Sequence, residues 1–206
     1  MIGYFVQGLA LGFSASATPG PVMAYLISQS LRNGWRRTLL AAFAPLLSDS
    51  PIIALVLLIL THLPGWFLAG LKVAGGLFIL YLAWGAYASF RQADDELAAA
   101  LEPEAGRQSV LHAALMNLLN PNPYIFWGTV GGPILLEGWR LAPALGGAFL
   151  IGFYLVLIGG LILLVIVFGM LGQASPRVSR VLSGVSALVL LAFGGYLLAS
   201  GVAALL

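Results

Sequence analysis

Residues 3–31 read GYFVQGLALGFSASATPGPVMAYLISQSL, a stretch without a charged side chain. About 20 predominantly apolar residues suffice for a helix to cross the hydrocarbon core of a bilayer. This stretch is long enough for one crossing, and it carries Pro19 and Pro21, which interrupt helical hydrogen bonding. It therefore predicts a membrane-spanning helix that is broken within the membrane.

The composition extends this prediction to the whole chain. Of the 206 residues, 61% are hydrophobic and 8% are charged, whereas soluble domains are about half apolar and a quarter charged. Dividing the hydrophobic residues by the roughly 20 that one crossing needs gives about six crossings. An ordinary soluble enzyme, a disordered chain and a nucleic-acid binder are thereby excluded. The chain has no cysteine, which excludes disulfides and thiolate metal sites.

Polar breaks divide the chain into six apolar segments, at about residues 3–31, 39–60, 67–90, 109–136, 142–171 and 178–205. Basic residues orient them, since cytoplasmic loops are enriched in Lys and Arg. The loops on one side hold seven arginines: Arg32, Arg36, Arg37, Arg91, Arg107, Arg177 and Arg180. The other side holds Lys72 and Arg140. Loops 1–2, 3–4 and 5–6 are therefore predicted to be cytoplasmic, with both termini outside.

The two halves of the chain resemble each other. The matched features are Thr18-Pro19-Gly20-Pro21 with Asn120-Pro121-Asn122-Pro123, Gly34-Trp35-Arg36 with Gly138-Trp139-Arg140, and Gly75, Gly85 and Tyr87 with Gly184, Gly194 and Tyr196. A repeat of three crossings must face opposite ways in its two copies, a construction common among secondary transporters. We predict an all-α polytopic membrane protein in a single transmembrane domain, residues 1–206. Its repeats cover about 1–90 and 109–206, and a cytoplasmic loop covers about 91–108.

The two proline-rich breaks are candidate binding elements. Irregular backbone is tolerated at membrane depth where protein or a water-filled cavity satisfies it. The half-helix after each break presents free N–H groups and a positive dipole end, which suit a carboxylate. The alternative is a pair of packing kinks. Asn117 and Asn120 lie three residues apart on one helical face, where they could cap the backbone opened by Pro121.

Asp49 is the second candidate, because it is the one acidic residue well inside a predicted span. A charge there is costly and marks a pathway, a proton relay or a ligand contact. No Lys or Arg lies within a span to pair with it apart from Lys72 near a helix end. A substrate ammonium or a proton is therefore the predicted counter-ion, and a neutral carboxyl hydrogen-bonded to Ser48 or to the backbone of a broken helix is the alternative.

Other side chains give weaker signals. Tyr25 and Tyr154 could line a cavity, although lone helical tyrosines are more often packing residues. Trp66, Trp127 and Trp139 are predicted to belong to the aromatic belts at the membrane interfaces. Two distant histidines and one buried carboxylate do not make a transition-metal site.

The sequence resembles the LysE/RhtB family of amino-acid exporters. The resemblance rests on Thr18-Pro19-Gly20-Pro21, the Gly34-Trp35-Arg36-Arg37 turn, Asp49, and Asn117-Leu118-Leu119-Asn120-Pro121. It implies a bacterial inner-membrane exporter of amino acids or related small metabolites, driven by the proton motive force. Two departures bear on the substrate: Asn122-Pro123 stands where the family usually has Lys-Ala, and Ser48 stands where it often has glycine.

We predict a secondary active transporter working by alternating access, without enzymatic activity or a cofactor. Its partners are a small-molecule substrate and membrane lipid but no nucleic acid, and a homodimer is compatible with the sequence. The predicted substrate-binding residues are Thr18, Pro19, Gly20, Pro21, Asp49, Asn117, Asn120, Pro121, Asn122 and Pro123, with Asp49 also carrying the coupling proton. The alternatives are a metal-cation transporter of a related superfamily and a non-transporting membrane scaffold.

Overall fold

The computed structural model describes residues 1–59, 65–91, 106–174 and 176–205, and every regular element there is helical. The all-α prediction is confirmed. The α-helices are α1 (Ile2–Ala17), α2 (Pro21–Asn33), α3 (Trp35–Thr38), α4 (Ala44–Ile59), α5 (Gly65–Arg91), α6 (Gly106–Leu118), α7 (Pro121–Phe126), α8 (Gly132–Leu141), α9 (Pro143–Ala174) and α10 (Pro176–Ala203). A 3₁₀ segment, Leu39–Phe43, joins α3 to α4, and a π-helical segment, Trp127–Gly131, joins α7 to α8. Most of the predicted loop at 91–108 lies outside the described residues.

Three helical stretches are long and apolar enough to cross a membrane: Trp35–Leu58, Pro143–Gly172 and Gly184–Ala203. Two shorter stretches, Ile2–Ala17 and Lys72–Trp84, are also apolar. The first apolar segment is divided between α1 and α2, so neither half has the length of a full crossing. Six crossings and the inverted repeat remain predictions.

Both proline motifs stand between helices. Gly20 is extended and precedes Pro21, the first residue of α2; Asn120 is extended and precedes Pro121, the first residue of α7. Proline suits this position, because its missing N–H would have no intrahelical partner there and its φ already matches the helix. The prolines therefore begin new helices.

The turn predicted at Gly34-Trp35-Arg36-Arg37 is confined to one residue. Gly34 has φ 80°, the left-handed region in which glycine is favoured, and α3 begins directly after it at Trp35. The matching Gly138 lies inside α8, which continues to Leu141. The two Gly-Trp-Arg motifs therefore differ in local structure, although their sequences match.

The π-helical segment has a cause in the sequence. Pro133 lies in the first turn of α8, and a proline both lacks an N–H and clashes with the carbonyl four residues earlier. That carbonyl belongs to Thr129, within the π segment. Widening the helix there relieves the conflict, and such π turns often lie at functional sites.

Glycines set the closest helix packing. α1 packs along α9, and α5 packs along α10. A Cβ on Gly12 would lie 2.2 Å from the carbonyl oxygen of Phe153, and one on Gly76 would lie 2.6 Å from the amide nitrogen of Leu198. Such close backbone approach is the usual role of small residues in membrane helices. It fixes the positions of α1 and α9 beside the candidate site.

Candidate functional site

A cavity of about 290 Å³ lies where the two proline motifs approach each other. Nine of the ten predicted site residues line it: Thr18, Pro19, Gly20, Pro21, Asp49, Asn117, Asn120, Asn122 and Pro123. The tenth, Pro121, is packed in the core. The remaining lining comes from α1, α2, α4, the α7–π junction and α9. The structure thus brings the two breaks and the membrane carboxylate to one site.

The first break leaves a helix start open to the cavity. The Thr18 hydroxyl donates to the Ser14 carbonyl oxygen at 2.6 Å, so this side chain completes α1 and does not cap α2. Gly20 has no side chain to cap α2, and Pro21 has no N–H. The N–H groups of the next two residues, Val22 and Met23, have no partner within the helix. Both residues line the cavity.

The second break is closed by its own side chains. Asn120 Oδ1 accepts a hydrogen bond from the Asn122 backbone N–H at 3.1 Å, an N-cap of the ordinary kind. The Tyr124 hydroxyl donates to the Leu118 carbonyl oxygen at 2.9 Å and thereby satisfies the end of α6. Of the two motifs, only the first therefore presents uncapped N–H groups at the cavity.

Asp49 is held by neutral donors from two other helices. Its side chain, on α4, is 4% exposed. Asn117 Nδ2, on α6, donates to Asp49 Oδ1 at 2.8 Å and to Ser48 Oγ at 2.7 Å. The Tyr154 hydroxyl, on α9, donates to Asp49 Oδ2 at 3.1 Å. These hydrogen bonds orient the carboxylate. Because both donors are neutral, they do not compensate its negative charge.

Trp127 belongs to this site, and its predicted place in an interfacial belt is wrong. Trp66 and Trp139 are exposed, whereas Trp127 is 0% exposed and lines the cavity. Its ring lies 5.3 Å from those of Phe126 and Phe153, and this packing draws it into the core. The Trp127 indole N–H lies beside Asp49. It makes no hydrogen bond with any of the residues that the structure describes.

The charges of the cavity favour a ligand with both signs. Of the described residues that line it, Asp49 is the only one with a charged side chain. A cationic group would pair with the Asp49 carboxylate, and an anionic group would accept hydrogen bonds at the uncapped start of α2. Within the described part of the chain, no three His, Cys, Asp or Glu side chains form a metal-binding group.

Comparison with known proteins gave a family match and several similar relatives. The family model described as LysE type translocator matches residues 13–201. The arginine exporter protein ArgO of Salmonella schwarzengrund (strain CVM19633) is 30% identical over 169 residues, which cover 77% of this chain and 79% of the relative. The arginine exporter protein ArgO of Salmonella typhi has the same identity and coverage. No solved structure gave a significant match.

Proposed function

This chain belongs to the LysE type translocator family, and on that basis we propose that it exports amino acids across the bacterial cytoplasmic membrane by proton-coupled alternating access. Membership of the family makes it a membrane transporter and not an enzyme. The proposal concerns the substrate, the coupling ion and the mechanism.

The cavity shared by both breaks and Asp49 is the observation that carries the proposal. Nine residues selected from the sequence as binding residues line this one space, although they come from distant parts of the chain. Packing kinks alone would not require a carboxylate, an uncapped helix start and a cavity to coincide. A site for a small zwitterion does require all three.

In the proposed binding mode the amino acid spans the cavity. Its carboxylate accepts hydrogen bonds from the Val22 and Met23 N–H groups at the start of α2, where the helix dipole is positive. Its ammonium group pairs with Asp49, whose orientation Asn117 and Tyr154 fix. When the substrate leaves, a proton replaces the ammonium group on Asp49, which couples export to the proton gradient.

Helix packing supports an exchange between two similar halves. In the proposed repeat, α1 corresponds to α6, and α4 corresponds to α9. The pairs α1–α9 and α4–α6 are both in contact, so each pairing has its counterpart in the other half. Two such halves can exchange their arrangements and move the opening from one membrane face to the other.

In the proposed orientation both termini lie outside, and the arginine-bearing loops face the cytoplasm.

The two alternatives have less support. A metal-cation transporter needs several oxygen, nitrogen or sulfur ligands, whereas Asp49 is the one charged ligand among the described cavity residues. A scaffold would pack its helix breaks without a cavity between them. Neither alternative accounts for the uncapped start of α2.

The test is transport by the purified full-length protein in liposomes. Vesicles loaded with a mixture of the proteinogenic amino acids are given an outward- or inward-directed proton gradient, and the released amino acids are quantified by mass spectrometry. We expect release of a subset of amino acids that depends on the gradient and stops when an ionophore collapses it. Release no faster than from protein-free vesicles would contradict the proposal.

A further inference from the structure

One apolar part of the cavity lining comes from two helices, α1 and α9. Leu11 and Ala15 of α1 line it together with Phe153, Leu157 and Leu161 of α9. These five residues, which we call the apolar wall, include three that are almost fully buried in the core. The wall adjoins the polar groups that would hold the ammonium and carboxylate of an amino acid.

Close backbone packing of α1 against α9 positions the apolar wall. Gly8 and Gly12 bring the α1 backbone against Phe149 and Phe153, where an added Cβ would lie 2.2 Å from a carbonyl oxygen. A Cβ on Gly152 would lie 2.4 Å from the Phe5 carbonyl oxygen on the other side of this contact. In this conformation the backbone contact holds the α1 and α9 sides of the apolar wall together.

Charge matching in the cavity sets a limit on the substrate. A neutral amino acid brings one ammonium group for Asp49 and one carboxylate for the start of α2. Arginine brings a second cation, and the described lining residues offer no second carboxylate to receive it. A buried cation without a partner is strongly disfavoured.

The aromatic rings do not supply the missing partner. A guanidinium can bind over the open face of a ring within about 6 Å of its centre. Phe126 and Phe153 stack on each other at 5.4 Å, and Trp127 lies 5.3 Å from both at steep angles. These contacts cover part of each ring and reduce the open face that is available to a guanidinium.

We propose that the cavity selects neutral amino acids with an apolar side chain over arginine, with Leu11, Leu157 and Leu161 determining this specificity. The inference rests on the proposed function, and it distinguishes this chain from its relatives that are named as arginine exporters. The substrate side chain lies against the apolar wall, while its backbone ammonium and carboxylate groups occupy Asp49 and the start of α2.

The test is counterflow in liposomes that contain the full-length protein. Vesicles loaded with leucine take up labelled leucine, and unlabelled leucine, citrulline or arginine is added outside as competitor. Citrulline matches arginine in shape but lacks its side-chain charge. We expect leucine to compete best and arginine to compete at least about tenfold less well, with citrulline between them.

Two substitutions on one helix localise the effect. Leu157 is 8% exposed and lines the cavity, whereas Leu155 is 60% exposed on the outer surface of α9. Leu157→Ala should weaken competition by leucine about tenfold and competition by alanine much less, because the shorter alanine side chain makes less contact with the wall. Leu155→Ala should change neither. Leu11→Ala, at a half-buried position, repeats the test if Leu157→Ala fails to fold.

The outcomes separate this inference from the proposed function. Arginine competing as well as leucine, or arginine-loaded vesicles supporting exchange when leucine-loaded vesicles do not, would overturn the selectivity and leave amino-acid export standing. Equal loss of alanine and leucine counterflow in folded Leu157→Ala would overturn the role of the wall. No counterflow with any amino acid would overturn both proposals.

Discussion

The hydroxyl group of Tyr154 donates a hydrogen bond of 3.1 Å to Oδ2 of Asp49, which precedes it by 105 residues in the chain. The bond joins α9 to α4 at the cavity. Asn117 donates to the other carboxylate oxygen from α6. Three helices therefore meet through one side chain, and a change in the state of that side chain acts on all three.

Asp49→Asn tests the charge while keeping the size of the side chain. We expect amino-acid counterflow to fall by more than about tenfold, because a substrate ammonium loses a charge-assisted partner. The thermal unfolding midpoint should change little, since an amide can still accept one of the two hydrogen bonds now made to the carboxylate. Glu137→Gln, at an exposed acidic residue of α8, is the matched control. Proton-driven transport at the wild-type rate in folded Asp49→Asn would disprove the coupling role.

Tyr154→Phe removes one hydroxyl group and leaves the ring. Loss of a hydrogen bond to a carboxylate costs about 1–2 kcal/mol, and we expect the substrate concentration at half-maximal counterflow to rise about fivefold. Tyr196→Phe removes the same hydroxyl from a ring that is exposed on α10 and should have no effect. An effect of equal size from both substitutions would show that Asp49 is not the cause.

Asn120→Ala removes the side-chain cap of α7. The expected loss is about 1 kcal/mol of unfolding free energy, measured by denaturant unfolding in detergent. Asn120→Ser keeps a capping oxygen and should retain most of the stability. If Asn120→Ser is as unstable as Asn120→Ala, then the hydrogen bond to the Asn122 N–H is not the stabilising feature.

Gly152→Ala tests the backbone contact between α1 and α9. The added methyl would lie 2.4 Å from the Phe5 carbonyl oxygen, so the helices must separate, at a cost of about 1–3 kcal/mol. Gly159→Ala, on the same helix, meets nothing within 4 Å and should be neutral or stabilising. Thermal unfolding followed by tryptophan fluorescence compares the two, and equal midpoints would contradict the packing argument.

The sequence identifies the charged residue and the helix breaks that stand out in an apolar chain. It does not identify the side chains that contact them. Asp49 and the proline motifs stand out because a charge or a helix break inside the membrane is costly. Tyr154 and Trp127 carry no such signal, since tyrosine and tryptophan are common in membrane helices. Their roles depend on contacts between distant helices, which periodicity does not report.

The difference between the two breaks shows the same limit. Both motifs predict a helix start with free N–H groups, but Asn120 caps its own helix while Gly20 cannot. Asn120 of the second motif is predicted both as a substrate-binding residue and as a cap. The Asn120 side-chain oxygen accepts a hydrogen bond from the Asn122 N–H, so the uncapped helix start is at the first motif. Pro121, equally prominent in the sequence, is enclosed by the core.

The π-helical segment Trp127–Gly131 also affects how the chain is aligned with its relatives. A π turn contains one residue more than an α turn between hydrogen-bonded groups. A relative with regular α-helix here would be one residue shorter, and a gapless alignment would then mispair every position as far as the next loop. A gap at 127–131 in an aligned relative therefore identifies one that lacks this π turn, and relatives without a gap are the ones expected to share the Trp127 arrangement. Inserting or deleting one residue there becomes a way to exchange the two helix registers without changing composition.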